Sequence, residues 1–268
     1  MAVSATPVLF TVEFRRKMAE LAQPERQEWL ASLAARVRAA AEAGVSSPLL
    51  AQELREVARG CRLPLVAAID KQLGPFDARH LAAVLEVPRE RFVRLADLER
   101  SADDTPLPLD DEGLATVSAP HAYLLSYRLL ALEPGDTLVE LGTGSGYGAA
   151  LASFVIGRGG HVLTFEIDEG LAARARRALA GDPAVEVSSA DAMSSAPRWG
   201  PANRVVVTFA VTKLPGVWVD ALPERGRLVA PVGPRDRDQR LVLVERRNGH
   251  VVETDHGAVR YVKNRSTR

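Results

Sequence analysis

The most constraining stretch of this chain is Thr137-Leu-Val-Glu-Leu-Gly-Thr-Gly-Ser-Gly-Tyr147. A short run of strand character enters three alternating glycines, and a helical pattern follows. Glycine lets the chain turn sharply out of a strand and lets the backbone approach a ligand closely. The helix behind offers unpaired N–H groups to a carboxylate or phosphate. GxGxG alone fits a generic strand–helix turn or dinucleotide binding. A dinucleotide fold, however, asks for GxGxxG; here the third glycine comes one residue early, and Tyr147 takes a position that should be small.

The pattern around this turn predicts an α/β fold. Helices are expected at 120–132, 147–156, 171–180 and 215–222. Strands are expected at 137–141, 161–166, 185–188, 204–208, 227–231, 241–246 and near 259–262. Alternation of this kind implies a mostly parallel central sheet with helices on both faces. The β-branched run at 204–208 places that strand in mid-sheet. Asn248-Gly249, with no helix between the last two strands, signals a hairpin and an antiparallel end.

Upstream, residues 11–60 read as helices. One opens at Gln23-Pro24-Glu25 and stops at Gly44; a second starts at Ser46-Ser47-Pro48 and ends at Gly60. Two short helices, 63–73 and 77–85, follow on either side of Gly74-Pro75. A boundary at 59–62 would divide the chain into an N-terminal helical extension, 1–62, and a catalytic domain, 63–268. Residues 98–118 read as an acidic loop long enough to be functional.

Composition excludes several classes. Lys+Arg and Asp+Glu are both 34, which argues against nucleic-acid and anionic-membrane binding. Residues 1–60 are also nearly balanced, with eight cations and seven anions. Lysine is scarce and arginine abundant, a bias of the kind produced by GC-rich bacterial codon usage. One cysteine, Cys61, excludes an intrachain disulfide and multi-cysteine metal sites. The five scattered histidines show no metal-ligand spacing, so no metal is expected. The N-terminal run Pro7–Phe10 precedes its basic residues, the wrong order for a signal peptide. A soluble, cytoplasmic protein is the expectation.

Two acids narrow the reading of the turn. Glu166 ends the strand Val162-Leu-Thr-Phe-Glu166, where a carboxylate can accept from both hydroxyls of a ribose. Asp191 follows the next strand, on the side where adenine lies in methyltransferase sheets. With Glu140 before the first glycine, these acids and the turn resemble the S-adenosylmethionine (SAM) class of Rossmann-like methyltransferases. The chain is further similar to the protein-L-isoaspartate (D-aspartate) O-methyltransferase family. Seven ordered motifs carry that resemblance: Val87-Pro-Arg-Glu-Arg-Phe-Val93, Pro106-Leu-Pro108, Thr116-Val-Ser-Ala-Pro-His121, Glu140–Tyr147, Val205–Thr208, Gly226–Gly233 and Val259–Val262. The resemblance runs from about Leu63 to Val262, some 200 of the 268 residues.

The resemblance implies a Rossmann-like SAM-dependent carboxyl O-methyltransferase acting on an aspartyl or isoaspartyl side chain of a protein or peptide. It implies SAM contacts at Glu140, Gly142, Thr143, Gly144, Ser145, Gly146, Glu166, Ile167, Asp191 and Ala192. Ser118 and Thr116 would be catalytic, with Ser118 and Thr208 holding the acceptor. Ser118 could instead cap the helix that starts at Pro120. The sequence departs from the family in its loop Leu109–Ala115, which is about two residues longer, lacks a Gln and carries three acids. It also has Asn203 and Ala221 where the family has Asp and Gln, and residues 1–60 are additional. A dedicated peptide acceptor, a small-molecule acceptor and a non-catalytic binder therefore stay open. A carboxylate acceptor, ionised near neutrality, needs no general base, and no His/Asp pair surrounds the motifs in the sequence. The apolar stripes of the N-terminal helices must be covered by the catalytic domain, a partner peptide or a second subunit, so a homodimer is possible.

Overall fold

A computed structural model describes residue 16 and residues 20–234 and 237–266. The helical reading of 11–15 and 17–19, and the apolar run 7–10, lie outside the described residues. Three helices open the described chain: α1 (Gln23–Glu42), α2 (Pro48–Leu73) and α3 (Ala78–Glu86). The β-hairpin β1 (Leu107–Pro108) and β2 (Thr116–Val117) follows, then α4 (Pro120–Leu130). Strands and helices then alternate: β3 (Thr137–Leu141), α5 (Tyr147–Ile156), β4 (His161–Glu166), α6 (Glu169–Leu179), β5 (Val185–Ser189), β6 (Arg204–Val207), α7 (Gly216–Asp220) and β7 (Arg227–Val232). The hairpin β8 (Gln239–Arg247) and β9 (His250–Val259) completes the sheet.

The sheet order is β5-β4-β3-β6-β7-β8-β9. Pairs from β5 to β7 are parallel; β8 and β9 are antiparallel. This is the expected architecture, with Asn248 and Gly249 in the turn between the last strands. It aligns the carboxyl ends of β3, β4, β5 and β6 along one edge, where such sheets bind ligands.

Three expectations need correction. The last strand is His250–Val259, not 259–262; beyond it the chain turns back, and the Ala210 N–H donates to the Val262 carbonyl at 2.7 Å. The loop 98–118 contains a small hairpin pairing Leu107 with Val117 and Pro108 with Thr116. Most consequentially, the second helix does not end at Gly60. It runs on to Leu73 through Pro64, so the expected boundary at 59–62 falls inside one continuous helix. Pro64 has no N–H for the Gly60 carbonyl, a loss that ordinarily breaks a helix. Here the Arg26 guanidinium donates to that carbonyl instead, at 3.2 Å.

The N-terminal helices share the core of the sheet's flank. Leu30, Leu33 and Ala34 of α1 and Leu54, Val57 and Cys61 of α2 are buried in one cluster with Tyr127, Tyr147 and Leu151. The apolar stripe of α1 is thus covered within the same chain. Among the described residues no helix is long and apolar enough to cross a membrane.

Arg62 fastens α2 to the segment before the acidic loop. Its Nη1 lies 2.7 Å from Glu90 Oε2, with both side chains almost wholly enclosed, and its other nitrogens donate to the Leu85 carbonyl at 3.2 and 3.3 Å. Removing one partner of a buried pair leaves the other charged and unsolvated. Arg62→Met should therefore lower the unfolding free energy by about 3–5 kcal/mol, measured by urea denaturation. A loss below about 1 kcal/mol, the range of an exposed pair, would contradict this account.

Candidate active site

The glycine turn forms the floor of a cavity at the carboxyl edge of the sheet. Gly142 has φ 98° and Gly144 φ 54°, the left-handed region that favours glycine. At Gly142 a β-carbon would also run into Thr208 Oγ1 and the Phe209 ring. The close approach is functional for the fold: Thr208 Oγ1 lies 2.6 Å from the Gly142 carbonyl and 3.0 Å from that of Leu141, tying the end of β6 to the turn. On the other side, Glu166 Oε2 accepts from the Gly144 N–H at 2.8 Å.

Of the residues that the resemblance implies, Thr116, Ser118, Gly142, Thr143, Gly144, Ser145, Glu166, Ile167, Asp191, Ala192 and Thr208 line this cavity. Glu140 and Gly146 do not line it. Gly146 caps α5, and a β-carbon there would strike Leu179 of α6. Glu140 is enclosed behind the turn. Thr164 Oγ1 donates to its Oε2 at 2.7 Å, and its other oxygen abuts Gly148. Burial pushes its carboxyl up to about 8; the Thr164 hydrogen bond opposes that rise, and the Glu166 charge adds to it.

The two cavity acids are held by backbone and by one distant segment. Glu166 Oε1 accepts from the Asp168 N–H at 3.0 Å, so each oxygen spends one acceptor site on the chain and keeps another. Asp191 Oδ1 accepts from the Met193 N–H at 2.9 Å, and its Oδ2 from the Ser266 hydroxyl at 2.7 Å. Trp218, fully buried, donates to the Ala192 carbonyl at 3.1 Å; Trp199 and Trp218 are packing residues.

Ser118 is not a helix cap. The cap position of α4 is Ala119, which makes no side-chain cap bond. Ser118 instead lines the cavity beside Tyr123. A second, larger and more apolar cavity opens beside Ser118. Thr116, Ser118 and Thr208 line both cavities.

The structure also assembles what the sequence did not reveal. Asp104 of the acidic loop pairs with His121: Oδ2 lies 2.9 Å from Nδ1, and Oδ1 accepts from the His121 N–H at 3.0 Å. The expectation that no His/Asp pair lies near the motifs is therefore corrected; the partners stand 17 positions apart in the sequence. Burial works to raise the Asp104 carboxyl, and the His121 bonds overcome it, leaving the group below its ordinary range. Within Leu109–Ala115, Asp111 pairs with Arg94 at 2.8 Å and Asp110 accepts from the Leu114 N–H at 2.8 Å. Residues 262–265 form a wall shared by both cavities, with Arg265 3.2 Å from Asp168. No local motif marks these contacts, because they depend on where the chain returns after β9.

With this geometry in place, the chain can be compared with known proteins. The sequence model of the protein-L-isoaspartate(D-aspartate) O-methyltransferase family matches residues 66–268. A protein-L-isoaspartate O-methyltransferase of Gloeobacter violaceus is 36% identical over 199 residues, which cover 72% of this chain and 95% of the relative. Protein-L-isoaspartate O-methyltransferase 2 of Archaeoglobus fulgidus is 37% identical over 183 residues, covering 67% and 82%. A solved protein-L-isoaspartate O-methyltransferase superposes with a TM-score of 0.67 at 26% identity, covering 75% of this chain and 65% of that one. A Plasmodium falciparum structure in complex with S-adenosyl-L-homocysteine shares the fold, with a TM-score of 0.66 at 21% identity and coverage of 75% and 97%.

The buried Glu140 gives the fold a pH dependence of definite sign. The folded chain keeps a proton that the unfolded chain releases near the ordinary glutamate value of about 4.5. Stability linked to this group is therefore complete below that value and is lost as pH rises through about 8. Glu140→Gln should flatten the fall of the thermal midpoint across that interval and leave the variant more stable than wild type at its alkaline end. Parallel midpoint profiles for the two proteins would overturn the assignment.

Proposed function

The chain belongs to the protein-L-isoaspartate(D-aspartate) O-methyltransferase family, and we propose that it transfers the methyl group of SAM to a carboxylate of an isoaspartyl or aspartyl residue in a protein or peptide. The observation that carries this reading is the wall of Thr116, Ser118 and Thr208 common to two cavities. Methyl transfer needs donor and acceptor on opposite sides of one point, in line.

The first cavity suits SAM. Glu166 is nearly buried, yet keeps acceptor capacity for a ribose diol. Gly142, Thr143, Gly144 and Ser145 present backbone at the cavity surface, Ile167 and Phe165 supply apolar contact, and Asp191 with Ala192 stands on the adenine side. Bound there, SAM supplies an electrophilic methyl on a sulfonium.

The chain's own residues then have three tasks. They hold the acceptor carboxylate, exclude water and keep the alignment. A carboxylate with a pKa of about 4 is already ionised at neutral pH, so no residue need remove a proton. The Ser118 hydroxyl donates to one carboxylate oxygen and leaves the other to attack. Thr208, whose proton is committed to the turn's carbonyls, shapes the same point. The larger second cavity, bordered by the backbone of 260–264, suits a peptide better than a small metabolite. The chain's zero net charge supports a protein rather than a nucleic-acid acceptor.

Two measurements test this reading. Glu166→Gln should weaken SAM binding by about 1–3 kcal/mol, the worth of charge-assisted hydrogen bonds; unchanged affinity by calorimetry would remove Glu166 from the site. Pure protein with labelled SAM should methylate an isoaspartyl peptide in preference to its normal aspartyl twin. Ser118→Ala should lower that turnover by at least about tenfold with SAM affinity unchanged. Wild-type turnover in the variant would leave Ser118 with no part in the reaction, and no labelling of either peptide would refute the acceptor class.

A further inference from the structure

The motif Val87–Val93 contains a residue that the reaction as described does not use. Arg89 is wholly buried, yet all four of its hydrogen bonds go to backbone carbonyls and none to a carboxylate. Nη1 donates to Asp103 at 2.7 Å and to Ser101 at 3.5 Å; Nη2 donates to Thr105 at 2.7 Å and to Ser118 at 3.1 Å. Among the described residues its Nε has no hydrogen-bond partner. The guanidinium carbon lies 5.9 Å from the centre of the Tyr147 ring.

Burial disfavours the charged form of Arg89, and the Asp104 and Asp103 carboxylates offset that only in part, with no direct ion pair; burying a cation in this way is costly. Packing alone would be served better by an apolar side chain of similar size. What the guanidinium does instead is gather one irregular segment. Residues 101–118 contain only the two-residue strands of a small hairpin as regular structure, yet they supply Thr116 and Ser118 to the wall between the cavities. Arg89 grips this segment at both ends, three times before the hairpin and once at the Ser118 carbonyl itself. The planar fork of arginine can serve carbonyls in several directions at once; the point-like ammonium of lysine cannot.

We infer that Arg89 is a positioning residue for the acceptor side of the reaction: through the Ser118 carbonyl and the carbonyls of 101–105 it fixes where the Ser118 hydroxyl stands. The kinetic part of this inference rests on the proposed methyltransferase reading. The ordering of 101–118 does not. Because small displacements of a reacting geometry cost large factors in rate, the effect falls on acceptor turnover. The floor of the SAM cavity makes no bond to Arg89 and keeps its geometry.

The test uses the full chain with Arg89→Lys, which keeps the charge, and Arg89→Met, which keeps the bulk. Three quantities are compared with wild type: SAM affinity by calorimetry, kcat and KM for an isoaspartyl peptide, and hydrogen exchange across 101–118. Both variants should bind SAM within about twofold of wild type, lose about 10²-fold in kcat/KM, and exchange faster in 101–118 while the sheet stays protected. Wild-type exchange and kinetics in Arg89→Lys would overturn the inference. So would SAM affinity falling in proportion to turnover, which is the signature of general destabilisation. Unprotected exchange of 101–118 in the wild-type chain would overturn it without any variant. If wild type methylates no carboxyl peptide, the acceptor reading fails, and the exchange comparison still decides the role of Arg89.

Discussion

Everything at the carboxyl edge of the sheet depends on one steric fact: the turn after β3 passes too close to β6 for a side chain. Thr208 and Phe209 occupy the space a β-carbon at Gly142 would take, and the Thr208 hydroxyl binds the carbonyls so exposed. Glu166, from β4 on the other side, accepts from the Gly144 N–H. The turn is thus clasped by both strands that flank β3. A clasp of this kind sets the cavity floor before any ligand arrives, which is what preorganised catalysis requires.

The second theme is how the irregular parts are held. The arginine excess reads in the sequence as a codon bias, but in the fold guanidinium groups repeatedly finish backbone that has no partner of its own. Arg26 donates to the carbonyl that Pro64 orphans, Arg62 to Leu85, Arg128 to Leu73 at 2.6 Å, and Arg174 to Val93 at 2.8 Å. Arg246 does the same for Leu222 beside the final hairpin, and adds a donor to the Val219 carbonyl, which already accepts from the Leu222 N–H. Buried carbonyls must be paired, and a fork with five donors pairs several from one position. Whatever its origin in composition, the bias supplies long-reach donors to a chain with long non-repetitive segments.

This division explains what was legible in the sequence. Strands β3 to β8, the glycine turn and the positions of Glu166 and Asp191 follow from local periodicity and spacing and are readable within a residue or two; the small hairpin β1–β2 and the last strand, His250–Val259, are not. Gly60 and Pro64 carry local stop signals, and a long-range donor, Arg26, overrode them. Glu140 has the sequence position of a ligand contact, but the rotation of β3 turns it behind the turn, towards Thr164 and Gly148. The pairing of Asp104 with His121 and the return of residues 262–266 depend on loop closure, for which spacing carries no code.

That return gives the site its final shape. After β9 the chain crosses back to Ala210, just beyond β6; Arg265 then reaches Asp168 near the end of β4, and Ser266 reaches Asp191 beyond β5. One short segment therefore spans the whole carboxyl edge of the sheet. It lines both cavities along with Thr116, Ser118 and Thr208, so the two spaces meet across a boundary made from opposite ends of the domain. A reaction that requires two partners in line, with water excluded between them, needs its walls fixed relative to each other. Here the acceptor loop is anchored through Arg89, the floor through Thr208 and Glu166, and the far wall through Asp168 and Asp191. Three independent anchorages on one rigid sheet leave the meeting point of the cavities as the position that all of them determine together.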